Sequence, residues 1–196
     1  MSKYWKKDEL LAVLNAARRE SVRNHAMVLF SYVFALRASE VAKLTIQNIQ
    51  TGRLVCKTLK GSDAVDMPIE SDDVALLDAK KALAAWLRVR PDTGSVFLFT
   101  SRLGSGMTRR AVYDIFENAA AAAGVEAGRR NPHLGKHTRL ALGYRAGLDV
   151  FALQQLGHHK DIKSTSAYIH ITQDEAVAKA KVAMTQAFAN VLQPAA

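Results

Sequence analysis

Tyr168 stands in the run Ser164-Thr165-Ser166-Ala167-Tyr168-Ile169-His170, and upstream of it come His158-His159, His133-x-x-Lys136 and Arg37-x-x-Glu40. A phenol titrates near pH 10, so it is a poor nucleophile at neutral pH unless nearby positive charge stabilises its oxyanion. Cations and imidazoles gathered around a tyrosine would let it attack a phosphodiester. Each piece also has a plainer use. Arg37 and Glu40 could simply pair at a helix junction, or Arg37 could be held at the edge of the core with its fork presented to a phosphate. Lys60, in the turn Lys60-Gly61-Ser62-Asp63, could be solvated, or could reach into a groove and protonate a leaving oxygen; Lys57 competes for that role. His133 and His137 are spaced to clip a metal, but no cysteine or third ligand has suitable spacing, so no metal site is expected. A tyrosine buried against a histidine would be the ordinary explanation for Tyr168 itself.

The elements that must position these residues follow from periodicity and punctuation. Asp8 opens a helical pattern with Leu10, Leu11, Val13 and Leu14 on one side. The stretch from about Val22 to Leu36 is apolar nearly all round and reads as the central core helix, delivering Arg37 at its end. Ser39 is a candidate cap for a short third helix. Thr51–Lys57 and Ala64–Pro68 read as two strands joined at the Lys60 turn. Ser71-Asp72-Asp73 would cap a long amphipathic helix to about Arg88, and Val96–Phe99 would be a buried strand. Further helices are expected from Thr108 to Ala123, about His137 to Ala146, Asp149 to Gln155, Thr165 to His170, and Gln173 to about Val191. The fold class is mainly α with a small antiparallel sheet (α+β), in one domain.

The 196 residues carry 27 Lys+Arg against 18 Asp+Glu, a formal net charge of +9. An excess of that size suits a polyanionic partner, since phosphate contacts draw on it. Arg109-Arg110 at a helix start, Arg129-Arg130 before the histidine motif, Lys57 and Arg139 are the candidate phosphate contacts, although a solvated basic surface would look similar. Cys56 is the only cysteine, which excludes an intrachain disulfide and suits a reducing cytoplasm. The first residues lack the apolar run of a signal peptide, and no stretch approaches the roughly 18 apolar residues of a membrane span.

The order Arg-x-x-Glu, hairpin Lys, His-x-x-basic, Leu-Gly-His and Tyr resembles the catalytic domain of the tyrosine recombinases, the phage integrase family, from about residue 5 to residue 175. By that likeness Arg37 is the first arginine, Lys60 the hairpin lysine, His133 the histidine of the His-x-x-Arg motif and Tyr168 the nucleophile, with Glu40 in support. Gly147, Asp149 and Gln154 fall where the family has its Ala-Gly-x-Asp and Ile-Gln pattern. Lys136 departs from the family's arginine; it keeps the charge but cannot grip two phosphate oxygens as a planar fork does. Register leaves two candidates for the second histidine. Counting from Tyr168 and from Lys136 reaches His159, whereas the local Leu156-Gly157-His158 string selects His158.

The resemblance implies cutting and rejoining of duplex DNA at a specific site through a 3′-phosphotyrosyl link, without cofactor, by a tetramer on DNA that an accessory protein could assist. In layout the short fimbrial-switch invertases come closest. The expected organisation is a single catalytic domain over residues 1–196, with no N-terminal core-binding domain and with residues 173–196 as a C-terminal helix and tail open to exchange with a neighbouring protomer. The competing reading is an integrase-fold DNA-binding regulator that does not cut, motivated by Lys136. A type IB topoisomerase-like relaxing enzyme would share the chemistry.

Overall fold

Around the most apolar stretch of the chain the other helices gather. The computed structural model describes residues 4–58, 63–166, 168 and 173–192. Helix α2 (Val22–Val33) starts at Ser21, whose hydroxyl accepts from the Asn24 amide at 3.0 Å. Its residues Ala26 to Phe30 have no exposed surface at all, as an all-round apolar helix requires. Helix α1 (Lys7–Glu20) buries Leu10, Val13, Leu14 and Ala17 against it. Aromatic edges lock the centre, with Phe30 at 4.9 Å from Phe34 and 5.8 Å from Phe99.

Helix α2 stops short of Leu36. Phe34 caps it and Ala35 turns left-handed at φ 46°, while the Leu36 amide returns to the Ser31 carbonyl and the Ser31 hydroxyl donates to the Leu36 carbonyl at 2.7 Å. That doubly pinned turn delivers Arg37 as the N-cap of α3 (Ala38–Val41), in the place expected for Ser39. Glu40 supplies the cap, its carboxylate accepting from the Arg37 amide at 2.7 Å.

Strands β1 (Arg53–Cys56) and β2 (Val65–Pro68) pair antiparallel, with Arg53 opposite Pro68 and Cys56 opposite Val65. Two expected elements are absent or shorter. Helix α4 (Ala79–Val89) begins at Asp78, whose carboxylate accepts from the Lys81 amide, and not at Ser71–Asp73. Asp72 closes only a local turn to Val74, and His25 bonds to the Leu76 carbonyl that a longer helix would have used. Val96–Phe99 makes one isolated bridge, Phe97 to Thr45, in place of a strand. Leu98 and Phe99 are fully buried as expected, but Trp86 and Arg90 side chains take the carbonyls of Phe97 and Leu98.

Helix α5 (Arg109–Ala122) is capped by Thr108. Helix α6 (Leu134–Arg145) begins ahead of His137, because the Asn131 carboxamide takes the His133 amide and starts the turn early. It packs on α2 at Gly135, where a Cβ would lie 2.5 Å from the Ser31 hydroxyl oxygen. No other residue allows that approach, which sets the α6 motif beside the Arg37 turn. Asp149 caps α7 (Val150–Gly157), accepting from the Phe151 and Ala152 amides. Helix α8 (Lys163–Ser166) ends before His170, and the rest of that expected stretch, Tyr168 excepted, lies outside the described residues. Helix α9 (Gln173–Leu192) is the last element among the described residues. Among the described residues no helix is long and apolar enough to cross a membrane.

Candidate active site

Four segments converge on Tyr168: the Arg37 turn, the first turns of α6, the turn after α7, and the end of α8. Tyr168 is half-buried just past α8, its amide bonded to the Thr165 carbonyl at 3.0 Å. The phenol oxygen lies 2.6 Å from Nδ1 of His137, with the two rings 5.3 Å apart. The His159 ring stacks on the phenol at 6.3 Å and 17°, held by Nδ1 against the Thr165 hydroxyl at 2.9 Å.

Burial pushes the Tyr168 phenol up to about 12, opposed by the positive charge of Arg37. It is therefore protonated at neutral pH, with its hydroxyl in hydrogen-bond contact with His137. Burial, then Lys136 and Arg37, push His159 down to about 4, so that ring is neutral at neutral pH. Lys136 is 5 % exposed, and burial followed by the charge of Arg37 brings its ammonium down to about 8. The ammonium donates to the Gly157 carbonyl at 2.6 Å. His133 is also lowered, by burial, Arg37 and Arg109 in that order. The Arg37 guanidinium thus acts on Tyr168, His159, Lys136 and His133 together, which makes them one electrostatic site. Glu40, nearly buried, anchors Arg37 at 3.1 Å.

His158 does a different job from its neighbour. It occupies the left-handed C-cap of α7 at φ 54°, and its Nε2 donates to the Phe34 carbonyl at 3.0 Å, which fixes that nitrogen as the protonated one. Its own carbonyl accepts from the Asp63 amide at 2.9 Å. The residue ties together the end of α2, the end of α7 and the return of the β1–β2 connection. His159, not His158, faces Tyr168. Two details allow this: a Cβ at Gly157 would sit 3.0 Å from the His159 ring, and Gln154 donates to the His159 carbonyl at 2.9 Å.

Lys60 lies outside the described residues; at the base of its loop the Thr58 hydroxyl donates to the Asp63 carbonyl at 2.7 Å. Lys57 is exposed and lines an open cleft of about 730 Å³ together with Glu40, Lys43 and Cys56. Arg109 lies over the Tyr113 ring, whose hydroxyl meets His133 Nε2 at 3.1 Å. Arg110 is exposed beside Asp114 at 2.7 Å. Arg130 is half-buried and bonded to the Val125 carbonyl.

Arg129 and Arg139 are placed otherwise than expected of phosphate contacts. Arg129 faces inward, its fork gripping both Glu9 oxygens at 2.7 Å and the Tyr4 carbonyl at 2.6 Å. Arg139 lies over the Tyr32 ring in an apolar groove with Leu142 and Leu156, and does not stand in for the fork that Lys136 lacks. Sequence reasoning missed His137 and Tyr113. For His137 the signal was its place directly after Lys136 on a helix that also carries His133; for Tyr113, only Arg109 one turn earlier hinted at it.

The phage integrase family model matches residues 3–175. The chain belongs to that family. It is 29% identical over 171 residues to the tyrosine recombinase XerC of Lactobacillus delbrueckii subsp. bulgaricus, covering 84% of this chain and 56% of that relative. The chain thus spans about half the length of the recombinases it matches. Among solved structures the XerA recombinase superposes with a TM-score of 0.75 at 22% identity, covering 91% of this chain and 64% of that one. The XerH site-specific recombinase bound to its difH substrate gives 0.72 at 19%, covering 91% and 54%. These likenesses show the tyrosine recombinase catalytic-domain fold, mostly helical with a two-stranded antiparallel sheet, as expected from the sequence. The relatives named are Xer-type; the kinship in layout with fimbrial invertases stays an expectation.

Proposed function

We propose that this chain is the catalytic portion of a site-specific recombinase that cuts and rejoins duplex DNA through a 3′-phosphotyrosyl intermediate. One observation carries the reading: half-buried Tyr168 has its oxygen 2.6 Å from His137 Nδ1 and its ring stacked on His159, within the field of Arg37 and close to buried Lys136. Family membership and the naming of the relatives as recombinases support it.

In this mechanism the Tyr168 oxygen attacks the scissile phosphorus, and the 5′ oxygen leaves. Arg37 and Lys136 stabilise the charge gathering on the non-bridging oxygens, with His133 and neutral His159 donating hydrogen bonds. Such preorganised donors supply the largest part of catalysis in sites of this kind. Lys60 protonates the departing oxygen. Attack by a 5′ hydroxyl of the partner duplex then reverses the step, and the covalent link conserves the bond energy. Lys57, Arg109, Arg110 and Arg130 hold the flanking phosphates, whereas Arg129 and His158 act as structural residues.

Oligomerisation on DNA belongs to the same proposal. Helix α9 exposes Val177, Val182, Met184 and Phe188 at 57–64%, more apolar surface than a solvated helix carries without use. We assign that face to the apolar groove of a neighbouring protomer, of about 420 Å³ and lined by Leu10, Tyr32, Leu142 and Leu156. To test the activity, duplexes enriched from a random pool by the protein are nicked near the bound site and offered to it. A denaturation-resistant protein–DNA band that disappears with Tyr168→Phe is expected; an equal band from that variant rejects the proposal.

A further inference from the structure

Resting on the recombinase reading, we infer that His137 is the base that takes the proton of the Tyr168 hydroxyl as the phenol oxygen attacks phosphorus. The separation of 2.6 Å between that oxygen and Nδ1 is already hydrogen-bond reach before DNA arrives. A phenol pushed up to about 12 ionises in only about one molecule in 10⁵ at pH 7, so attack at a useful rate needs a proton acceptor.

The other candidates are engaged elsewhere. His159 offers the phenol its ring face and has Nδ1 on Thr165. His133 meets Tyr113 through Nε2, and His158 meets the Phe34 carbonyl. The Lys136 ammonium sits on the Gly157 carbonyl, and Arg37 keeps its proton at any working pH. Among the described residues, His137 is the imidazole with a nitrogen at the phenol oxygen.

The step balances within the site. The O–H electron pair of Tyr168 becomes the new O–P bond, and its proton passes to Nδ1. The P–O5′ bond breaks and the 5′ oxygen leaves as a hydroxyl with a proton from Lys60. On rejoining, the imidazolium returns its proton to the departing phenolate. The charged groups facing this pair are Arg37 from the start of α3 and Lys136 on α6 itself, with the neutral His159 from the turn after α7 beside them. The imidazolium formed next to these cations is balanced by the negative charge that the phosphorane gains at the same moment.

The test is single-turnover cleavage of the nicked duplex by the full chain across pH, with His137→Ala and His137→Asn. Wild type should show a limb that rises with pH, since only the neutral imidazole can take the proton. His137→Ala should be slower by about 10²-fold or more and lack that rising limb, with part of the rate restored by imidazole in the buffer. His137→Asn retains a hydrogen-bond acceptor near the phenol but no base, and should stay slow. DNA carrying sulfur in place of the bridging 5′ oxygen needs no proton on its leaving group, so the His137→Ala defect should persist there while a Lys60→Ala defect is relieved. A His137→Ala protein with the wild-type rate and limb overturns the assignment, as does a wild-type rate in His137→Asn, which would make the residue a positioning group. Lack of any covalent band from wild type on DNA it binds would instead remove the recombinase reading beneath it.

Discussion

Replacing the buried lysine with arginine, the residue that the family resemblance leads one to expect at position 136, makes a quantitative test of the site's electrostatics. Lys136 loses its charge as pH rises through about 8, because burial and the Arg37 charge both disfavour the ammonium. In the DNA-free protein about nine tenths of the molecules carry that charge at pH 7 and about one tenth at pH 9. A step that needs the cation therefore falls roughly tenfold over that interval, or about 1.4 kcal/mol. Arginine keeps its proton throughout, so Lys136→Arg removes the falling limb. The limb belongs to cleavage at subsaturating DNA, which reports the free protein; bound phosphate raises the lysine, so the saturated rate should fall later. Tyr168 and His159 titrate well outside the window, near 12 and 4. The assay is single-turnover cleavage at fixed ionic strength across pH 7 to 9 with both proteins. Coincident profiles would show that Lys136 is not the charge that matters.

Three further outcomes follow from the geometry. Gly157→Ala should cut cleavage at least about tenfold, since the new methyl meets the His159 ring at 3.0 Å and Leu140 at 3.2 Å; melting should move little, because better helix propensity offsets about 1 kcal/mol of crowding, and unchanged cleavage would deny His159 its place. Arg129→Ala should cost about 2 kcal/mol in urea unfolding, as charge-assisted bonds to Glu9 are lost. It should leave the salt dependence of DNA binding unaltered, whereas a phosphate contact would reduce that slope by about 1. Phe188→Glu should leave melting unchanged and shift DNA complexes to fewer protomers in sedimentation; intact higher assemblies would free α9 of that role.

What the sequence made legible was whatever local pattern determines. The α2 core helix, both strands, helix starts at Thr108 and Asp149, and α9 all follow from periodicity or local punctuation within a few residues. Gly147, Asp149 and Gln154 matched by spacing, and the structure supplies their uses: Gly147 turns left-handed after α6, Asp149 caps α7 and Gln154 pins the His159 turn. Counting from two distant anchors picked His159, the imidazole that lies on Tyr168, where the local string pointed to His158. Errors arose where a distant side chain captures backbone. His25 takes the Leu76 carbonyl and Arg90 takes those around Phe97, so a helix start moved to Asp78 and a strand dissolved. Arg129 looked like a phosphate ligand because nothing near it in the chain announces Glu9. His137 was weighed beside His133 and not against Tyr168, and that contact depends on where the chain past α8 meets α6.

Protease digestion of the covalent complex on nicked DNA, with mass spectrometry of the nucleotide-linked peptide, tests the central claim most directly. The account predicts a single adduct on the Tyr168 phenol, joined to a 3′ phosphate and leaving a 5′ hydroxyl. An adduct on any other residue, or on a 5′ phosphate, would contradict it.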